Sequence, residues 1–129
     1  MRNKMETINA KNVFLFSIAG TLIFACYSTN IYFKKLNEEK ELNKKIEREK
    51  KERMDDAYKT EFYGTYAVYL QDKNNYVTVK FYFDEIEKIE SKMRKDGYDF
   101  GQIKAIKSSG IAEARKEARE YKKWLEENK

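Results

Sequence analysis

The sequence contains no histidine and no proline, and it has a single cysteine, Cys26. Without histidine the chain has neither the commonest general base nor a Ser-His-Asp arrangement. One cysteine excludes an intrachain disulfide framework and a zinc cluster built on cysteines. Paired carboxylates remain, such as Asp55/Asp56 and Asp84/Glu85, but their highly charged surroundings are not the buried cleft that an active pair needs. We therefore expect a protein that is not an enzyme and that uses no cofactor.

An excess of charge of one sign is also missing. The chain has 27 basic and 22 acidic residues, and residues 59–129 hold fifteen against thirteen. Binding to phosphate groups needs several uncompensated cations on one surface, so we expect no nucleic-acid partner. The segment DGYDFG (Asp96–Gly101) is no calcium loop, because Tyr98 and Phe100 stand where oxygen ligands would be required. No glycine-rich phosphate loop is present either, and no small-molecule substrate is indicated.

Long apolar runs are scarce, and the one that exists, residues 13–33, follows a polar basic head of residues 1–12. Its twenty-one residues are enough to cross a hydrocarbon core of about 30 Å. Tyr27, Tyr32 and Phe33 would form an interfacial belt, and Lys34-Lys35 would form the polar stop. This pattern predicts a transmembrane helix in a single-pass protein of the inner or plasma membrane, with the lipid bilayer as a partner.

A second interpretation treats the same run as a signal peptide. The dense apolar part ends at Ala25, which matches the short apolar region of a signal. The sequence LIFAC resembles the lipobox of bacterial lipoproteins, with Ile23, Ala25 and the acceptor Cys26, although Phe24 departs from the usual small residue. The resemblance implies removal of residues 1–25 and lipid attachment at Cys26, which gives a lipoprotein of the cell envelope. The Lys-, Asn-, Tyr- and Ile-rich composition is typical of a genome of low GC content, from a bacterium, a phage or a protist.

Residues 34–58 are densely charged, with seventeen charged side chains among twenty-five. Acid-before-base pairs at i,i+4, such as Glu47/Lys51, favour a helix. We predict a charged helical linker roughly 35–40 Å long at 1.5 Å per residue. The aliphatic residues do not sustain a coiled-coil heptad, but weak self-association through Leu42 and Ile46 stays open. The layout of one span and a charged stalk resembles that of phage inner-membrane spanins, which implies a structural or lysis role.

Residues 59–129 predict a small domain of mixed secondary structure. Val77, Val79, Phe81 and Phe83 alternate with more polar residues, which is the period of a strand with one buried face. A preceding segment from Thr60 and the turn formers of residues 72–75 complete a predicted β-hairpin. Two to three helices are expected to pack on it: one capped by Asp84 and ended by Asp96-Gly97, and another over residues 111–129 after a break at Ser108–Gly110. The expected fold class is therefore α+β.

Tyrosines are concentrated on this predicted hairpin. Tyr63, Tyr69 and Tyr82 would share its outer face, and tyrosine is enriched at protein interfaces. We therefore expect a membrane-tethered, non-enzymatic binding or assembly module that uses these three residues to contact a protein partner. The alternatives are the self-associating structural protein and the lipoprotein anchored through Cys26.

Overall fold

The computed structural model describes the backbone of residues 2–128 and the side chains of residues 11–128. It contains three helices: α1 (Arg2–Gln71), α2 (Tyr76–Lys95) and α3 (Phe100–Glu127). The chain forms two compact units, Met1–Arg48 and Glu49–Lys129. The expected helical linker, residues 34–58, lies within α1. The second unit begins at Glu49, earlier than the expected start at 59, and Tyr58 belongs to its core with 3% of its surface exposed.

The predicted α+β fold and its β-hairpin are wrong, because residues 2–128 contain no strand. The segment from Thr60 to Gln71 completes α1, and the segment from Tyr76 to Phe83 begins α2. The turn between them exists, but it joins two helices. Aromatic and β-branched residues favour strands only where the surrounding packing suits a pleated surface. Here the packing of helical faces overrides that preference.

The helical pattern of α2 extends beyond the segment that alternates. Its inward residues are Val79, Tyr82, Ile86, Ile89 and Met93, which recur at steps of three and four. The cap predicted at Asp84 is wrong, because Asp84 lies inside the helix and Asn75 caps it instead. The Asn75 side chain accepts a hydrogen bond from the Val77 amide at 2.9 Å. The predicted end holds: α2 stops at Lys95, and Gly97 takes the left-handed conformation with φ 88°.

The second unit is a three-helix arrangement around one core. Short turns after α1 and α2 make consecutive helices antiparallel neighbours. The segment of α1 in this unit contributes a face at i,i+4 spacing, Tyr58, Phe62 and Tyr66. Phe62 and Met93 are completely enclosed. The core consists of Tyr58, Phe62, Ile86, Ile89, Met93, Tyr98 and Ile103.

The helix α3 begins with a capping box. The Asp99 carboxylate accepts from the Gln102 amide at 2.9 Å, and the Gln102 side chain accepts from the Asp99 amide at 3.0 Å. The break predicted at Ser108–Gly110 is wrong, because α3 continues through it. A glycine is used there because α1 passes very close: a Cβ on Gly110 would lie 2.6 Å from the Lys59 carbonyl oxygen. In α3 the sequence pattern Ile111, Ala114, Ala118, Tyr121 and Leu125 predicts one apolar stripe. The structure buries Ala114 of this stripe, whereas Tyr121 and Leu125 are exposed.

Candidate functional site

The apolar segment of α1 is exposed along its whole length in the first unit. Every side chain from residue 11 to residue 35 is exposed, including Phe16 at 79% and Phe24 at 72%. By length and composition, α1 is a candidate membrane span near the N-terminus, a test that a signal sequence or a core helix also passes. The hydroxyls of Thr21 and Thr29 donate to carbonyls one turn earlier, at 2.7–3.0 Å. Hydroxyls bonded within the helix suit an apolar environment.

Cys26 lies in this segment, and its thiol is free and exposed. No residue from the rest of the described chain covers it. An exposed thiol is accessible to a modifying enzyme, but exposure alone does not identify a lipid attachment site. The lipidation of Cys26 therefore stays a prediction.

A tyrosine cluster joins α1 and α2 in the second unit. We use this name for Tyr66 and Tyr69 of α1 with Tyr82 of α2. The ring centroids of Tyr69 and Tyr82 are 4.8 Å apart, and those of Tyr66 and Tyr82 are 5.7 Å apart. Such offset and edge-on contacts stabilise aromatic pairs beyond the area they bury. Burial, followed by the neighbouring Tyr66 and Tyr69, raises the pKa of Tyr82.

Arg115 of α3 closes the cluster. Its Nε donates to the Tyr66 hydroxyl at 2.8 Å, and its guanidinium lies 5.2 Å from the centroid of the Tyr66 ring. This geometry combines a hydrogen bond with a cation–π contact. The cluster thus ties all three helices of the second unit together.

The three tyrosines predicted as an interface do not share one surface. Tyr69 and Tyr82 meet in the tyrosine cluster, each half-buried. Tyr63 points elsewhere and donates its hydroxyl to the Glu117 carboxylate of α3. That hydrogen bond is the main cause that raises the pKa of Tyr63. A neighbouring ion pair, Lys59 to Glu113 at 2.6 Å, makes this side a polar contact between α1 and α3.

A second pair of tyrosines holds the turn between α2 and α3 against α1. The hydroxyl of Tyr58 donates to Asp96, and that of Tyr98 donates to Asp55 at 2.6 Å. The two rings pack edge-on with centroids 5.6 Å apart. Burial and the hydrogen bond to Asp55 raise the pKa of Tyr98 to about 12. This arrangement has a structural role, because each hydroxyl already has an internal partner.

An exposed aromatic surface on α2 consists of residues that the sequence prediction did not select, and Phe100, Tyr121 and Trp124 of α3 are also exposed. On α2, Tyr76, Val77, Phe81 and Phe83 have exposed fractions of 78%, 72%, 48% and 62%. The predicted strand places Phe81 and Phe83 on its buried face, so the sequence does not identify them as exposed residues. The signal that identifies them is that six of the eight residues in the first two turns of α2 are apolar or aromatic, more than one inward face of a helix can hold.

Residues 11–128 contain no group of three or more His, Cys, Asp or Glu side chains that could hold a metal ion. The features that define this chain are therefore a candidate span and a three-helix unit with an exposed aromatic flank.

No protein-family model matches the chain, and no curated protein and no solved structure matches it.

Proposed function

We propose that the chain is a single-pass membrane protein whose second unit is a non-enzymatic binding or assembly module. The observation that carries the proposal is the coexistence of two uncovered apolar surfaces, the segment of α1 around residues 13–33 and the first two turns of α2. Soluble monomers rarely leave large contiguous apolar patches uncovered. A bilayer covers the first surface, and a protein partner covers the second.

The α1 segment supports the anchor because no side chain of residues 11–128 buries it. A core helix of a soluble domain has its apolar side chains buried, whereas here Phe14, Leu15 and Leu22 are 62–66% exposed. Tyr27, Tyr32 and Phe33 precede Lys34-Lys35, as interfacial aromatic residues precede a polar stop. The intact mass of the mature protein tests the anchor directly. An uncut chain supports the span, and loss of residues 1–25 with an added diacylglyceryl group supports the lipoprotein.

Two variants of the full chain sharpen this test. Leu22→Arg places a charge in the middle of the proposed span, which costs roughly 2.5–3.5 kcal/mol at the centre of a helix in a bilayer. We expect it to lower the fraction that stays in the membrane pellet after carbonate extraction. Cys26→Ser is the matched control and should leave that fraction unchanged. Release of the Cys26→Ser variant together with retention of Leu22→Arg would contradict the span and favour the lipoprotein.

The self-associating structural role is supported by one observation in the first unit. Leu42 and Ile46 are 57% and 53% exposed and lie one turn apart on α1. Changing both to Glu would dissolve oligomers held by this stripe. Oligomers that survive this change would exclude that alternative and leave the second unit as the interacting part.

A further inference from the structure

The first two turns of α2 carry more apolar surface than the unit can cover. Six of the eight residues from Tyr76 to Phe83 are apolar or aromatic. Only Val79 and Tyr82 among them turn toward the core, where they are half-buried. A helix segment that is apolar around most of its circumference is normally buried by more than one neighbour. The exposed apolar residues of this segment are therefore suited to contact with a surface outside the described residues.

One stripe on this helix has a particular arrangement of charge. Tyr76, Lys80, Phe83 and Glu87 follow each other at steps of four, three and four, so they lie on one face beside the core stripe. Lys80 and Glu87 are exposed, and neither forms an ion pair among residues 11–128. Phe83 lies halfway between the two opposite charges. We call this face the Phe83 stripe.

We propose that the Phe83 stripe binds the same stripe of a second copy of this chain, with the two α2 helices antiparallel across a two-fold axis at Phe83. The two Phe83 rings then pack at the axis. Lys80 of each copy faces Glu87 of the other, because both residues lie about one turn from the axis on opposite sides. A two-fold interface requires a surface that is complementary to itself, and this stripe meets that requirement.

The charges also distinguish a second copy from a lipid surface. The stripe holds one Lys and one Glu, and Asp84 lies next to it on α2. An anionic bilayer surface attracts basic segments and repels carboxylates, so a stripe without net positive charge gains little there. A parallel pair of helices would place Lys80 against Lys80, which is repulsive. The antiparallel pair is the arrangement in which both charges find opposite partners.

The size of the stripe makes the dimer weak in free solution. An aromatic side chain buries about 150–250 Å² in total, so the exposed parts of Tyr76 and Phe83 supply roughly 250 Å² per copy. Stable interfaces bury about 1,200–2,000 Å² over both partners. Attachment to one bilayer raises the local concentration of copies, as a linker does for two binding modules. This step rests on the proposed membrane anchor, which would make the interface effective only where the chain is held.

Cross-linking in vesicles tests the position of the axis. The full chain carries Cys26→Ser and is reconstituted with Phe83→Cys or, as the matched control, Lys88→Cys, which lies on the opposite flank of the same helix. A short bismaleimide should link copies through position 83 several-fold more than through position 88. Equal linking at the two positions would overturn the proposal.

Charge reversal tests the pairing of Lys80 with Glu87. Association is measured as energy transfer between donor- and acceptor-labelled copies in vesicles. Lys80→Glu or Glu87→Lys alone converts both ion pairs of the dimer into repulsions, and we expect association to weaken roughly five- to tenfold. The double variant Lys80→Glu/Glu87→Lys restores both pairs and should restore the signal. A double variant as weak as the single ones would overturn the proposal and point to a different protein partner. Association that follows anionic lipid content and ignores the charge reversals would overturn it in favour of lipid.

Two readouts keep these outcomes separate from other failures. Unfolding followed by circular dichroism should be unchanged in the reversal variants, because Lys80 and Glu87 have no ion-pair partner within residues 11–128. Carbonate extraction reports independently on the anchor. If the chain leaves the membrane, the proposed function fails, but the cross-linking ratio and the rescue by the double variant are still measured on the concentrated soluble chain. The tests of the dimer and of the anchor therefore give independent results.

Discussion

Gly110 is the position where α3 comes closest to α1, and replacing it by alanine tests the packing of the second unit. The added methyl carbon would lie 2.6 Å from the Lys59 carbonyl oxygen and 3.1 Å from both the Phe62 Cβ and the Tyr63 amide nitrogen. These atoms belong to the α1 backbone or to the base of a side chain. No change of rotamer therefore clears the space, and α3 must move away from α1.

The size of the effect follows from two opposing terms. Overpacking a well-packed core costs typically 1–3 kcal/mol, and an obstructing backbone places this change near the upper end, about 3 kcal/mol. Alanine is the better helix former by about 1 kcal/mol, which offsets part of the cost. The net loss is about 2 kcal/mol in the free energy of unfolding. For a unit of this size the transition temperature should fall by roughly 8–16 °C.

The assay is thermal or urea unfolding of the detergent-solubilised full chain, followed by circular dichroism. Gly64→Ala is the matched control, because Gly64 is also helical and a Cβ there meets nothing within 4 Å. We expect the control to gain up to about 1 kcal/mol from helix propensity alone. If Gly110→Ala stabilises the chain as much as Gly64→Ala does, the close approach of α1 and α3 is refuted.

Two further changes probe the turn between α2 and α3. The pKa of Tyr98 is raised to about 12, so the folded state holds the hydroxyl proton more tightly than the unfolded state does. The contribution of this hydroxyl to the free energy of unfolding is therefore complete below about pH 10 and is lost as the pH rises through 12. The free energy of unfolding, measured with urea, should therefore fall over this range, and the fall should be less steep in Tyr98→Phe. If the pH dependence is the same in Tyr98→Phe, the raised pKa does not belong to Tyr98. Asp99→Ala removes the capping box of α3 and should cost about 1 kcal/mol, whereas Asp99→Asn should recover most of it. Equal losses in the two Asp99 variants would exclude the cap as the cause.

The sequence allows the α1 segment and the end of α2 to be predicted, but not the start of α2, the continuity of α3 or the packing of the second unit. The apolar run of residues 13–33 is a composition signal, and Gly97 is a local conformational signal, so both are visible without a structure. The segment from Tyr76 to Phe83 satisfies both a strand period and a helix period over its short length. Only the continuation through Ile86, Ile89 and Met93 at steps of three and four distinguishes them.

Other features could not be predicted because they depend on contacts between distant residues. A glycine after two serines resembles a helix break, and only the position of α1 beside Gly110 explains why a helix needs a glycine there. Tyr63 and Tyr69 share a face in an extended strand, but in a helix six residues turn them to different sides. The partners of their hydroxyls and rings, Glu117 and Tyr82, follow from that difference.

The small size of the second unit accounts for an aromatic flank that its core leaves exposed. About eighty residues enclose one small core, and small domains bury a smaller share of their apolar surface than large ones do. The core encloses Phe62, Met93 and the buried tyrosines, whereas Tyr76 and Phe83 remain 78% and 62% exposed. A flank this small would not hold two free molecules together at low concentration. Anchoring in a bilayer removes that difficulty, and a module of this kind would then assemble only at the membrane.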